Sequence, residues 1–186
     1  MTSLREQTRE HTNFALLEGD ANTDALIIGG GMAGVLCAYL LHHAGMPYML
    51  AEAETVCSGI TKNTTAKLTS QHGLIYDKLI RTWGVERAKG YLSANQEALQ
   101  KYRVLCRGID CDFEEKSAYV YALNDRRKLE QELAALEKLG FHGEFAEHPP
   151  LPFSTAGAVK FSNQAQFHPL KFVSAISKGL HIYEHT

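Results

Sequence analysis

Apolar and polar positions change their pattern sharply along the first third of the chain. The longest apolar run is the 17 residues from Ala25 to Leu41, which carry no charged and no strongly polar side chain. Its first residues, ALII at 25–28, have the length and composition of a buried parallel strand. Three glycines follow, and Met32 to His43 is apolar nearly all round, which predicts a helix packed on several sides. Tyr48 to Ala51 predicts a second strand.

A membrane-spanning helix is the alternative interpretation of this apolar run. A spanning helix needs about 20 apolar residues, and the run has 17. Gly30 and Gly34 form the G-x-x-x-G pair of membrane helix dimers, but three consecutive glycines are poor helix formers. The run therefore predicts a strand, a glycine turn and a helix rather than a membrane anchor.

Three glycines between the first strand and the first helix carry the clearest chemical signal. Gly29, Gly31 and Gly34 fill the pattern G-x-G-x-x-G. In a dinucleotide-binding unit the first glycine allows a tight turn, the second lets a pyrophosphate approach the backbone, and the third lets the helix lie close to the sheet. The N–H groups at the helix start, near Met32 and Ala33, are expected to face the phosphates, with the helix dipole assisting.

An acid follows the second strand at the spacing that such a unit needs. Glu52 comes 23 residues after Gly29, where its carboxylate can accept hydrogen bonds from ribose hydroxyls. A carboxylate repels a 2′-phosphate, which disfavours NADP. The alternative is a glycine-rich turn in another kind of α/β protein, with Glu52 solvated. The order of strand, motif, helix, strand and acid favours dinucleotide binding.

A long polar segment, Thr55 to Leu79, follows the acid and is rich in Ser, Thr, Asn and Gly. An NAD domain usually continues into another crossover helix, whereas this loop can lay N–H groups and hydroxyls along an extended cofactor.

The rest of the chain alternates predicted helices and strands. A helical segment is predicted over 76–107 with a break near Trp83–Gly84, and two short strands are predicted in 111–123 around a turn at Lys116–Ser117. A helix capped by Asp125 and ending near Leu139 is predicted next. The last predicted elements are a strand over 158–162, a helix over 169–179 entered through His168, and a strand over 180–183.

Composition narrows the class of protein. The 186 residues are 45% hydrophobic and 22% charged, which suits one globular domain or the first part of a larger one. A net charge of −2 gives no sign of a nucleic-acid surface. The four cysteines form no C-x-x-C pair and no zinc spacing, so they indicate reduced thiols of a cytoplasmic protein without a metal site. The amino end lacks the apolar region of a secretory signal.

The sequence resembles the amino-terminal part of the D-amino-acid-oxidase-like FAD-dependent oxidoreductases, and more narrowly the members with a carboxyl-terminal Rieske iron–sulfur domain. The stretches that carry the resemblance are DALIIGGGMAGVLCAYLL, SGITKNTTAKLTSQHGLIYDKL and QAQFHPLKFVSAI, and it extends from about Leu17 to the end. It implies noncovalent FAD, with the loop after the acid packed against the cofactor. The further site residues that it implies are Ser58, Gly59, Thr61, Thr65, Ala66 and Lys67. For the threonines the alternative is a turn that satisfies its own backbone, and for Lys67 a surface position.

The implied fold is α/β, a Rossmann-like FAD-binding βαβ unit with the start of a mixed α+β substrate domain. We expect a leader segment over 1–20, the FAD-binding part over 21–80, and a helical segment with the first part of the substrate domain over 81–186. Members of the family run to roughly twice this length or more, so an amino-terminal fragment is expected. The missing part would supply a return strand to the nucleotide sheet and, where a Rieske module is present, the ligands of its [2Fe–2S] cluster.

The implied function is an FAD-dependent oxidoreductase that oxidises an amine or an amino-acid-like C–N substrate by hydride transfer to flavin. No catalytic residue is identified. The expected partner is a small-molecule substrate, with no nucleic acid and no membrane, and the oligomeric state stays open. Two alternatives also stay open, an NAD-binding dehydrogenase and a non-catalytic dinucleotide-binding remnant of a truncated flavoenzyme.

Overall fold

The computed structural model describes residues 13–186, so the first 12 residues of the predicted leader segment lie outside the described residues. The described chain forms two compact units. Unit 1 comprises residues 13–66, 108–112 and 167–186, and unit 2 comprises residues 67–107 and 113–166. Each unit is therefore built from segments that are distant in the sequence.

The elements follow one another in a mixed order of helices and strands. They are β1 (Ala25–Ile28), α1 (Met32–His43), β2 (Tyr48–Ala51), a 3-10 turn (Ile60–Asn63), β3 (Lys67–Leu68), α2 (Tyr76–Trp83), α3 (Val85–Cys106), β4 (Glu114–Tyr121), α4 (Arg126–Lys138), β5 (Glu144–Ala146), β6 (Ala158–Gln166), α5 (Pro169–Ile176) and β7 (Ile182–Tyr183). The bounds of β1, α1 and β2 coincide with those that the apolar pattern predicts. The α/β class is confirmed.

Unit 1 contains a three-stranded parallel sheet in the order β1-β2-β7. Ala25 pairs with Tyr48 and Ile28 with Ala51, so β1 and β2 run in register over their whole length. The crossover between them is α1, which packs on β2 and α5 and buries Val35 and Ala38. The apolar run is thus a strand, a turn and a helix, and among residues 13–186 no helix is both long and apolar enough to span a bilayer.

Unit 2 contains an antiparallel sheet with β6 at its centre. The strand β4 pairs along one side of β6, and β3 and β5 pair along the other side. The core of the unit contains aromatic and aliphatic side chains from α2, α3, α4, β6 and the turn after α4: Tyr76, Ala88, Leu92, Leu129, Ala135, Leu136, Leu139, Val159 and Phe161. The predicted break in the helical segment is confirmed, because Gly84 separates α2 from α3 with a φ of +80°.

The predicted pair of short strands around Lys116–Ser117 is wrong. Residues Glu114–Tyr121 form a single strand. Its pairing with β6 shifts between Lys116 and Ala118, where β6 carries Asn163 with a φ of +56°. The polar residues that suggested a turn therefore lie opposite a β-bulge, which disrupts the ladder locally without reversing the chain.

The end of the chain returns to the first sheet. The strand β7 pairs in parallel with β2, Leu50 facing Ile182 and Ala51 facing Tyr183. The pattern predicts a strand at this position but does not say which sheet it joins. The parallel sheet thus has a third strand within the described residues, whereas the family resemblance implies a return strand only in a missing part.

Candidate functional site

The carboxyl ends of β1, β2 and β7 meet at one edge of the parallel sheet, which is where ligands bind in open α/β sheets. The chain leaves β1 at Gly29, whose φ of +105° is one that L side chains rarely adopt. The Gly29 N–H donates a hydrogen bond to the Ala51 carbonyl at 2.8 Å. This bond joins the glycine turn to the end of β2, directly before Glu52.

The Glu52 carboxylate lies against the glycine turn. Its Oε2 atom accepts a hydrogen bond from the Gly30 N–H at 2.5 Å, and its Oε1 atom accepts one from the Glu54 N–H at 2.9 Å. Backbone donors at both oxygens hold the side chain in one orientation at the edge of the sheet. A carboxylate oxygen has more than one acceptor position, so a ribose hydroxyl can donate to the same group.

Internal packing requires glycine at position 34 but not at position 31. A Cβ atom at Gly34 would lie 1.9 Å from the Gly29 carbonyl oxygen, so helix and turn require glycine there. A Cβ atom at Gly31 would meet nothing closer than the Thr61 Oγ1 atom at 3.6 Å, and the backbone of Gly31 has a φ of −76° and a ψ of −179°. Any residue can adopt that extended conformation. Internal packing therefore does not require glycine at position 31.

The first turn of α1 opens onto the same edge. Gly31 is the N-cap residue of the helix, and N–H groups in a first turn have no partner inside the helix. The Met32 N–H donates to the Thr61 Oγ1 atom at 3.2 Å, and Ala33 is exposed. The 3-10 turn therefore places a hydroxyl beside the positive end of the helix dipole.

The other predicted loop residues differ from one another in burial and in hydrogen bonding. The Ser58 hydroxyl donates to the Glu54 carboxylate at 3.1 Å, and Gly59 is the N-cap residue of the 3-10 turn. Thr65 is exposed. Ala66 is buried with a φ of +62° and ends unit 1, whereas Lys67 is exposed and begins β3 in unit 2.

Four residues that were not predicted from the sequence also shape this edge, namely Gly30, Val56, Cys57 and Glu184. The Gly30 N–H binds Glu52, and the Gly30 carbonyl accepts a hydrogen bond from the Cys57 N–H at 3.0 Å. Glu184, directly after β7, is 3% exposed and accepts the Val56 N–H at 2.6 Å. Because Gly30 lies within the triple glycine, the sequence could have identified it as a site residue. Nothing near Glu184 in the sequence signals its partner 128 residues away.

The edge combines the glycine turn, the start of α1 and the fixed carboxylate of Glu52, and a comparison with protein-family models identifies the family of the chain. The model described as DAO, FAD dependent oxidoreductase, matches residues 24–186. The chain belongs to the DAO family of FAD-dependent oxidoreductases. The resemblance to this family, the FAD-dependent class and the Rossmann-like fold are thereby confirmed, and an NAD-linked dehydrogenase is not favoured.

Individual relatives agree with the DAO assignment. A Bacillus subtilis (strain 168) protein, YhfW, whose name describes a Rieske 2Fe-2S iron-sulfur protein, is 39% identical over 183 residues, covering 94% of this chain and 36% of that protein. Gamma-glutamylputrescine oxidoreductase of Escherichia coli (strain K12) is 24% identical over 153 residues, covering 81% of this chain and 34% of that protein. The structure of L-proline dehydrogenase from P. horikoshii shares the fold with a TM-score of 0.70 at 15% identity, covering 88% of this chain and 44% of that chain.

The chain spans about a third of the length of the curated relatives it matches. Its own residues fit the adenosine diphosphate half of FAD. A Cβ atom at Gly31 would have only the Thr61 hydroxyl within 4 Å, the first turn of α1 begins at the same glycine, and Glu52 is held beside the glycine turn by the Gly30 N–H.

Proposed function

We propose that unit 1 binds the diphosphate and the adenosine ribose of FAD at the carboxyl edge of its parallel sheet. The observation that carries the proposal is the position of Glu52, whose carboxylate is hydrogen-bonded to the N–H of Gly30, one residue before the open backbone at Gly31. The diphosphate would lie against Gly31 and the N–H groups of Met32 and Ala33, replacing the Thr61 hydroxyl as the acceptor of the Met32 N–H, and the Glu52 carboxylate would accept a hydrogen bond from the ribose.

The loop after Glu52 is proposed to lie along the same cofactor. Ser58, Gly59 and Thr61 follow Cys57, whose N–H is bound to the glycine turn, and this supports their placement near the diphosphate. Thr65 and Ala66, at the end of the first segment of unit 1, are proposed as neighbours of the flavin end, and Lys67 stays a prediction from the family resemblance. The FAD-binding part over 21–80 stays a prediction. The same edge of unit 1 also includes β7 and Glu184, which lie outside residues 21–80.

We propose that the protein containing this chain oxidises a C–N bond of an amine or amino acid. When bound, FAD supplies the hydride acceptor for this reaction. The residues described here bind and orient the cofactor, and none of them is proposed as an acid or a base. The names of the E. coli and P. horikoshii relatives, an oxidoreductase of an amine and a dehydrogenase of proline, support this substrate class.

FAD binding is tested by titrating the purified 186-residue chain with FAD, and separately with NAD, while following flavin fluorescence and thermal unfolding. We expect a yellow complex, quenched or shifted flavin fluorescence, and a rise in unfolding temperature with FAD only, because a ligand that binds the folded state stabilises it. A rise with NAD and none with FAD would refute the proposal.

The substrate class is tested separately, on the protein expressed from its gene with any codons that follow Thr186. Amines and amino acids are supplied with an artificial electron acceptor, and loss of the acceptor colour is recorded. Turnover of at least one amine supports the proposal. A protein that retains FAD but oxidises no amine or amino acid would instead support the alternative of a binding remnant.

A further inference from the structure

A buried carboxylate ties three separate segments of unit 1 together next to the glycine turn. Glu184 is 3% exposed. Its Oε1 atom accepts a hydrogen bond from the Val56 N–H at 2.6 Å, and its Oε2 atom accepts one from the Phe14 N–H at 3.2 Å. Its own N–H donates to the Ala15 carbonyl at 3.1 Å. One side chain thus joins the end of β7 to the leader and to the loop after Glu52.

That loop in turn holds the glycine turn. Cys57 follows Val56, and its N–H donates to the Gly30 carbonyl at 3.0 Å. The other side of Gly30 is held by Glu52 through the Gly30 N–H. A Cβ atom at Gly30 would lie 3.1 Å from the Val56 side chain, so the loop and the turn are in close contact. A displacement of Val56 would therefore shift the backbone of Gly30, the residue directly before Gly31.

We infer that Glu184 is a positioning residue for the cofactor cradle, which consists of the glycine turn, the start of α1 and Glu52. Residues 14–17 form a strap that holds the Glu184 side chain in place. The inference rests on the proposed FAD site. Glu184 acts through Val56 and Cys57, which set the position of Gly30, and it does not touch the diphosphate itself. The strap is completed by a hydrogen bond from the Leu17 N–H to the Thr186 Oγ1 atom at 3.1 Å.

The chain offers a matched control for this role. Glu132 in unit 2 is 1% exposed and accepts backbone N–H groups at both oxygens, from Tyr76 at 2.9 Å and Asp77 at 3.0 Å. In both E184Q and E132Q the new amide N–H group faces a backbone donor, so each variant loses one acceptor in a buried place. The two losses are alike in chemistry and differ in the unit that they affect.

The test measures FAD affinity and amide hydrogen exchange at a temperature well below the unfolding transition of each variant. We expect E184Q to raise the Kd for FAD by about tenfold or more, and to accelerate exchange at residues 54–59 and 29–31 by a similar factor. E132Q is expected to lower the unfolding temperature while leaving both quantities in unit 1 unchanged. E184D, which keeps the charge but is one methylene shorter, is expected to show a smaller rise in Kd, and replaces E184Q in the comparison if the latter does not fold.

The outcomes separate this inference from the proposed function. If the wild-type chain binds no FAD, the proposed function fails, and the role of Glu184 fails with it. If the wild type binds FAD and the Glu184 variant binds it equally well, Glu184 is only structural and this inference alone is overturned. The same conclusion follows if exchange at residues 54–59 is unchanged in the variant.

Discussion

Gly34 packs against Gly29 so closely that a Cβ atom at position 34 would lie 1.9 Å from the Gly29 carbonyl oxygen. That oxygen belongs to the turn that leaves β1, and Gly34 belongs to the first turn of α1. Neither group can withdraw easily, because both are backbone. The distance between the helix and the turn is therefore set by the missing side chain at position 34.

The first prediction is that Gly34→Ala destabilises unit 1. Alanine favours a helix by about 1 kcal/mol over glycine, but the clash with the Gly29 carbonyl outweighs this gain. We expect the free energy of unfolding to fall by about 1–3 kcal/mol or more, measured by urea unfolding. A variant as stable as the wild type would show that α1 can move away from the turn without loss.

The second prediction is that Gly31→Val keeps the fold and loses the cofactor. The backbone at Gly31 is extended, and a Cβ atom there meets only the Thr61 hydroxyl at 3.6 Å, so we expect a small change in stability. Because the side chain enters the proposed path of the diphosphate, the Kd for FAD should rise by at least about tenfold, or 1.4 kcal/mol. Fluorescence titration measures it, and Gly108→Val serves as control, since Gly108 lies in unit 1 outside the proposed site and a Cβ atom there meets no atom within 4 Å. An unchanged Kd in Gly31→Val would count against the site.

The third prediction concerns the acid at the end of β2. In Glu52→Gln one oxygen is replaced by an amide N–H group, which faces the N–H of Gly30 or of Glu54. Loss of a hydrogen bond to a charged acceptor is worth about 1.5–3 kcal/mol. We expect weaker binding of both FAD and ADP, because ADP shares the ribose and the diphosphate. Titration calorimetry with the two ligands measures this, and an effect on FAD but not on ADP would place Glu52 away from the ribose.

The fourth prediction is a pH dependence of stability in unit 2. Burial raises the pKa of Glu132 above its ordinary value of 4.5, against the lowering effect of backbone N–H groups of Asp77, Tyr76 and Ile75. A carboxyl group whose pKa is raised by folding contributes stability that is fully present below its unfolded pKa and is lost as pH rises through its folded pKa.

The test compares the wild type with Glu132→Gln in urea unfolding at a series of pH values. The free energy of unfolding of the wild type, minus that of the variant, is expected to be largest near pH 4, about the pKa of an exposed glutamate, and to fall as pH rises through the folded pKa of Glu132. Glu130→Gln, on the exposed side of the same helix, is the control. A difference that grows with pH would mean that the backbone N–H groups outweigh burial.

Local sequence patterns were sufficient for the elements that build the candidate site. The run ALII, three glycines and an apolar helix predict β1, the turn and α1 with their observed bounds, because strand length, glycine conformation and helix packing are each encoded within a few residues. The caps of two later helices were also predictable. Asp125 accepts the Lys128 N–H, and the His168 Nδ1 atom accepts the Lys171 N–H, both over three residues.

Features that depend on partners distant in the sequence were not predictable. A glutamate in the charged sequence of α4 gives no sign that it will be buried against the start of α2, and Glu184 gives none that it will bind Val56 and Phe14. The same holds for β5, which the sequence analysis did not predict, and for the pairing of β7 with β2. Turn and helix signals act between near neighbours, whereas the choice of a sheet neighbour or a buried hydrogen-bond partner is made only when the whole unit packs.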